Sequence, residues 1–172
     1  MIKRFFSYLL FILIITVIVY HRYPERKLPD NAVVSRIIVF KSRRQMLVYA
    51  DGELVNTYVI SLGGYPVGKK QIDGDGRTPE GLYTINAKNP NSVCHKNLGV
   101  SYPDAVDISN AKRLGKSPGG DIKIHGVSNG WSFIGKFQRW YDWTNGCMGL
   151  TDAEVDDLYA HTAIGTAIEI RP

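Results

Sequence analysis

The chain has 172 residues, 44% of them apolar and 22% charged, which is enough to bury one sizeable core and argues against a mainly disordered chain. Its formal charge of +5 is concentrated before Leu28, where Lys3, Arg4, Arg22, Arg26 and Lys27 are opposed only by Glu25. The remainder is close to neutral and has no excess of cations to neutralise phosphates, so nucleic acid is excluded as an expected partner.

Phe5 to Tyr20 reads FFSYLLFILIITVIVY, a run without a charge, flanked by Lys3 and Arg4 before it and His21 and Arg22 after it. Sixteen such residues make a helix of about 24 Å against a hydrocarbon core of about 30 Å, a shortfall that snorkelling Lys and Arg can close. A cleavable signal ends in small residues, and Val17-Ile18-Val19-Tyr20 supplies none. Residues 1–27 are therefore expected to be an uncleaved anchor with its N-terminus inside, which places the rest outside the cytoplasm. Residues 28–35, with Pro29, Asp30 and Asn31, read as a linker, and residues 36–172 as one domain.

After the linker the pattern becomes that of strands. Arg36–Lys41 and Gln45–Ala50 are β-branched or aromatic runs, and Asp51-Gly52 supplies a tight hairpin turn before a third strand at Leu54–Ser61. Glycine and proline then punctuate Leu62–Gly81, a long surface loop ahead of a strand at Leu82–Ala87. A strand at Leu98–Tyr102 and a short helix at Asp104–Leu114 follow. Ile122–His125 is a strand whose alternation turns Ile122 and Ile124 to one face and Lys123 and His125 to the other. Thr151-Asp152-Ala153-Glu154 is a capping box with Val155, Leu158 and Tyr159 at helical spacing behind it, and Gly165 is expected to stop that helix. Thr166–Ile170 alternates as a last strand. The fold predicted is mainly β, sandwich or barrel-like, with one clear helix after Cys147.

Two cysteines, Cys94 and Cys147, are too few for a disulfide framework and lack CxxC spacing. Cys94-His95 has no matching second pair, so neither a metal nor another cofactor is expected. A lone cysteine is usually a small buried hydrophobe. Cys147 differs in its setting. A thiolate attacks a carbonyl carbon well but needs a neighbouring base, and His125 is the best candidate. The backbone carbonyl of Gly126 would hold the imidazole in the right tautomer. Gly146 leaves room for substrate, and the backbone N–H groups around Gly146 and Cys147 would face a developing oxyanion. Trp131, Phe133, Phe137, Trp140, Tyr141 and Trp143 crowd the stretch between the two, either packing a lid or lining a groove, with packing expected. Arg77 and Glu80, in the glycine-rich loop, could touch a charged peptide, although solvated charges are the default for a loop. A papain-like arrangement is disfavoured because there the cysteine precedes the histidine.

IHG at 124–126, TNGCMGL at 144–150 and GDGRTPEGLY upstream resemble the L,D-transpeptidase catalytic domain (YkuD-like) family, over about Ile37 to Ile170. His125-Gly126 falls on the family's base position and Thr144-x-Gly146-Cys147 on its nucleophile motif. The likeness is greatest to a subgroup with Asp-Trp-Thr-x-Gly-Cys, here Asp142 to Cys147. Many members carry histidine immediately before Gly-Cys and arginine two residues after the cysteine, where this chain has Asn145 and Gly149. The resemblance implies an envelope enzyme acting on peptidoglycan stem peptides: Cys147 as nucleophile, His125 as base, and Thr144, Asn145, Tyr102 and Arg77 bordering the substrate. Transfer to an amine is the reaction implied; hydrolysis, or a non-catalytic peptidoglycan-binding module, are the alternatives.

Overall fold

The computed structural model describes residues 2–172. Ile2–Arg22 forms helix α1, which stands exposed to solvent along its length and is long and apolar enough to cross a membrane. Within it the Ser7 and Thr16 hydroxyls donate to the carbonyls of Lys3 and Ile12, so both are satisfied inside the helix.

Three strands follow as an antiparallel meander: β1 (Val34–Phe40), β2 (Gln45–Ala50) and β3 (Glu53–Val59). At the β2–β3 hairpin Asp51 and Gly52 adopt φ of 50° and 82°, the pair of left-handed conformers that a two-residue turn needs. Beyond the long loop come β4 (Gly81–Ser92), β5 (His95–Val100), α2 (Ala105–Arg113), β6 (Lys123–His125), β7 (Met148–Gly149), α3 (Asp152–His161) and β8 (Thr162–Arg171).

The strands lie in the order β3-β2-β1-β8-β4-β5-β6-β7. β8 runs parallel to β1 and antiparallel to β4, and β6 runs parallel to β7. β4 pairs with β8 through Gly81–Thr84 and with β5 through its later residues, so it carries the sheet round a bend. Past β3, Ser61 bridges to Gly149 and Gly63 to Thr144, which curls one edge of the sheet back toward the other as a half-barrel. Ile37, Val48, Ile85, Leu98, Ile124, Met148 and Ile168 fill the interior. The mainly β, barrel-like expectation describes this architecture.

α3 begins at the predicted capping box. The Thr151 hydroxyl accepts from Glu154 N–H at 3.3 Å, and a Glu154 carboxylate oxygen accepts from Thr151 N–H at 3.0 Å. Its stop differs from expectation. The helix passes straight into β8 at Thr162, and Gly165 lies inside that strand at φ 95°. Gly165 falls where the β1–β8 register shifts between Thr162 and Ala167, so its left-handed conformer serves a bulge in the strand and not a helix stop. The hairpin β4–β5 is also longer than predicted, running through Asn89, Pro90 and Asn91.

The segment after α1 is docked on the domain. Leu28 is buried and its N–H donates to Asp157 at 2.8 Å, while Asn56 holds the Arg26 carbonyl at 2.9 Å. A 3-10 segment at Ser132–Trp140, absent from the predicted elements, receives the end of α1. There the His21 ring stacks on Phe137 with centroids 4.8 Å apart, and Lys136 donates to the Tyr23 carbonyl at 2.7 Å. Arg139 links Glu25 and Glu154 at 2.8 and 2.7 Å, tying the exit of α1 to the start of α3.

Candidate active site

β6 carries His125 and the turn before β7 carries Cys147. The parallel register sets Ile124 beside Met148 and His125 beside Gly149. Continued by one residue beyond Ile124 and Met148, that register brings Cys147 level with Lys123, on the face that Lys123 and His125 share. His125 and Cys147 are thus diagonal neighbours on adjacent segments, about 8 Å apart at Cα from strand spacing and rise. The register sets the two residues on one face of adjacent segments.

His125 is buried, 7% exposed, and its Nδ1 lies 2.7 Å from the Gly126 carbonyl oxygen. A carbonyl only accepts, so Nδ1 carries the proton and Nε2 is left as the acceptor. The predicted role of the Gly126 carbonyl is what the geometry contains. A side chain at Gly126 would meet Asp152 Oδ1 at 2.5 Å, which fixes glycine here. Burial pushes the imidazole below its ordinary pKa; the Gly126 carbonyl opposes this and the Lys123 ammonium adds to it.

The Cys147 thiol is half-buried and donates to the Asp121 carbonyl at 3.6 Å. Burial pushes it above its ordinary pKa. The Lys123 N–H and ammonium pull the other way, and the Asp121 carboxylate adds to the rise. Lys123 Nζ in turn sits 2.7 Å from that carboxylate, which mutes its charge at the sulfur. Both shifts favour the neutral forms, thiol and imidazole.

The turn that presents Cys147 is built by Asp142, Trp143 and Thr144. Asp142 accepts from Leu62 N–H at 3.0 Å and from Arg44 at 2.7 Å. The Trp143 ring meets His125, and its indole N–H donates to Gln138 at 3.1 Å. Gln138 also bonds the Ser61 hydroxyl and donates to the Gly149 carbonyl at 3.4 Å. A side chain at Gly149 would strike Ser61 Oγ at 2.7 Å and crowd Gln138 and Trp143, so the space beside it is filled by neighbours.

Several expected contacts are corrected. The Gly146 N–H is not turned to an oxyanion: it donates to the Thr144 hydroxyl at 3.1 Å. Thr144 is buried and its hydroxyl donates to the Cys147 carbonyl at 2.8 Å, so it clamps the turn rather than bordering substrate. Gly146 has φ 128°, and a side chain there would meet the Arg77 carbonyl at 2.6 Å; its glycine serves close packing against the loop. Arg77 touches the turn through that carbonyl alone, while its guanidinium lies 3.4 Å from Lys69 O in its own loop. Tyr102 is in the core, edge-on to Tyr83, with its hydroxyl on the Pro118 carbonyl at 2.8 Å. It supports the loop that carries Asp121 over the thiol and does not line a groove. Asn145 is exposed at the tip of the turn.

Lys123, Asp121 and Gln138 were missed as site residues. The alternation that put Lys123 on the face of His125 was a signal for the first; nothing local marked the other two. The packing expected of the aromatic insertion holds for Phe137 and Trp143, which are partly covered, but not for Trp131, Phe133, Trp140 and Tyr141, which are exposed. A cavity of about 270 Å³ opens beside Trp143, lined also by Val127, Ser128, Trp131, Ile134 and Tyr141. His95 binds Asp156 at 2.9 Å behind Gly126, and Cys94 Sγ lies 3.7 Å from Ser128 Oγ; both cysteines are free.

Comparison with known proteins matches this arrangement to a family. The L,D-transpeptidase catalytic domain (YkuD) family matches residues 34–170, and the chain belongs to it. YafK of Escherichia coli (strain K12), which carries an L,D-transpeptidase name, is 27% identical over 129 residues, 72% of this chain and 45% of its own. The helical cell shape determining protein Pgp2 from Campylobacter jejuni is 25% identical with a TM-score of 0.59, covering 84% of this chain and 50% of that one. An L,D-transpeptidase from Mycobacterium smegmatis shares the fold at 17% identity and a TM-score of 0.54, over 82% of this chain and 59% of its own. The chain spans about half the length of the first two.

Proposed function

We propose that this family member is a cysteine-dependent L,D-transpeptidase that acts on peptidoglycan stem tetrapeptides, held at the extracytoplasmic face of the membrane by α1. One observation carries the reading. His125, with Nδ1 satisfied by Gly126 and Nε2 unprotonated, shares a sheet face with the Cys147 thiol one strand away.

Sulfur attacks the carbonyl between meso-diaminopimelate and the terminal D-alanine while its proton passes to His125 Nε2, so no free thiolate is needed beforehand. Because the Gly146 N–H is bonded to Thr144, the Cys147 N–H is the donor assigned to the oxyanion. The imidazolium then protonates the D-alanine amine, which leaves, and an acyl-enzyme remains on Cys147. An acceptor amine attacks the thioester, gives its proton to His125, and releases the cross-linked peptide with Cys147 re-protonated. Trp143 walls the imidazole, and the cavity beside it is the place proposed for part of the stem peptide.

The test is intact-mass analysis of the full chain in detergent, incubated with a tetrapeptide muropeptide and separately with an added amine acceptor. An adduct on Cys147 with released D-alanine and a cross-linked product is expected, and Cys147→Ala removes all three. D-alanine release with water as the sole acceptor gives the hydrolase instead. Absence of adduct and of D-alanine, from a folded chain that still binds the muropeptide, leaves the binding module.

A further inference from the structure

The insertion between His125 and Cys147 presents large apolar rings to solvent: Trp131, Phe133, Trp140 and Tyr141 are 56%, 71%, 67% and 66% exposed. Trp131 stacks on Phe133 with centroids 5.7 Å apart, and Tyr141 shares the cavity wall with Trp131. Rings of this size left in water mark a contact surface rather than a core. Their position says what covers them. Trp140 packs on Phe137 at 4.8 Å, and Phe137 stacks on His21 and meets Tyr20, the last residues of α1. α1 has 21 residues, about 31 Å of helix against a hydrocarbon core of about 30 Å. A span of that length uses the whole helix, so Tyr20 and His21 lie at the lipid–water boundary.

The contact is held on both sides. Gly135, at φ 49°, has no room for a side chain, since one would meet the His21 ring at 2.7 Å. Lys136 is buried on the Tyr23 carbonyl, and Arg139 is tied to Glu25. The insertion is therefore fixed at the level where α1 leaves the membrane. Trp and Tyr are the side chains that partition to this level. Arg22, Arg26 and Lys27 are exposed along the same exit and complement anionic headgroups.

We infer that the aromatic face formed by Trp131, Phe133, Trp140 and Tyr141 seats in the headgroup region of the bilayer that α1 spans, giving the domain a second, fixed contact with the lipid surface. This rests on the reading of α1 as a membrane span. Because Trp131 and Tyr141 also line the cavity beside Trp143, that cavity is held at the membrane surface and is not free to swing on a tether.

The chain tests this without a label, because its three tryptophans are Trp131, Trp140 and Trp143 and none lies in α1. The full chain is reconstituted into vesicles containing anionic phospholipid and recovered by flotation. Emission is then read with phospholipid brominated near the glycerol end or near the methyl end of the acyl chain, and with iodide in the water. Greater loss with the shallow bromine, weak loss with iodide, and disappearance of the lipid quenching in the Trp131→Phe, Trp140→Phe double variant are expected. A floating chain quenched by iodide and by neither lipid overturns the proposal and leaves the anchor standing. Shielding from lipid and iodide alike means that a second copy or another protein covers the face, and also overturns it. Failure to float removes the anchor and the proposal together.

Discussion

The imidazole of His125 and the indole of Trp143 meet in a T-shaped arrangement, centroids 5.5 Å apart and planes at 76°. The indole is itself held by Gln138, which reaches Ser61 and the Gly149 carbonyl, so the wall of the imidazole is tied to the strand that follows Cys147. Trp143→Leu removes that wall. Turnover is expected to fall about 10- to 100-fold through kcat more than KM, the scale on which small misplacements act. Water reaching the ring returns the imidazole toward its ordinary pKa, so the acid limb of kcat/KM moves to higher pH. Steady-state kinetics across pH reads both effects.

Burial sets the pH behaviour of the pair. His125 is lowered from its ordinary 6.5, so the neutral base survives below that value and the acid limb of kcat/KM lies under pH 6.5. Cys147 is raised from its ordinary 9.0, so the resting thiol stays protonated through neutrality and iodoacetamide reacts slowly until the pH exceeds that value. Fast alkylation at pH 6 to 7 would show a preformed thiolate–imidazolium pair instead.

Thr144→Val keeps the shape of the buried side chain and leaves the Gly146 N–H and the Cys147 carbonyl without their partner. Loss of about 1–3 kcal/mol of stability is expected for buried backbone groups left unpaired, with a fall in kcat. Thr144→Ser restores both, because the hydroxyl and not the methyl closes the turn. Denaturant unfolding paired with kinetics checks it.

Gly149→Arg puts a long cationic side chain two places after the cysteine. Here the new Cβ meets Ser61 Oγ at 2.7 Å with Gln138 and Trp143 close behind. Destabilisation by about 1–3 kcal/mol is expected from overpacking, together with loss of turnover as Trp143 is displaced from His125. Thermal unfolding measures the first.

Arg139 is 10% exposed at its side chain and faces Glu154 at 3%. Arg139→Ala leaves that carboxylate buried without its partner, a loss of about 3–5 kcal/mol. Adding Glu154→Gln recovers much of it, because the amide no longer needs a counter-charge. A double-mutant cycle by chemical unfolding gives the coupling.

Local chemistry was legible in the sequence where a few neighbouring residues decide the outcome. Asp51-Gly52 made its hairpin, Thr151 and Glu154 capped α3, and the alternation of Ile122 to His125 turned Lys123 and His125 to one face. Gly126, adjacent to His125, orients it through its own carbonyl as expected. Gly165 misled because a left-handed glycine serves a strand bulge as well as a helix stop, and its place in the β1–β8 register shift is set by long-range pairing.

By itself the sequence determined the apolar run of α1, the β-rich pattern of the domain, and the two chemical groups that the candidate reaction needs. Only the tertiary structure decided how they are used. The partners of Thr144, Tyr102, Arg77 and Gln138 come from chain segments that meet through long-range pairing or loop packing, which residue type does not encode. The placement of Trp140 likewise depends on Phe137, which is itself stacked on the end of α1. Aromatic rings carry the same apolar surface in a core, a groove or a membrane contact, and only their placement tells these apart.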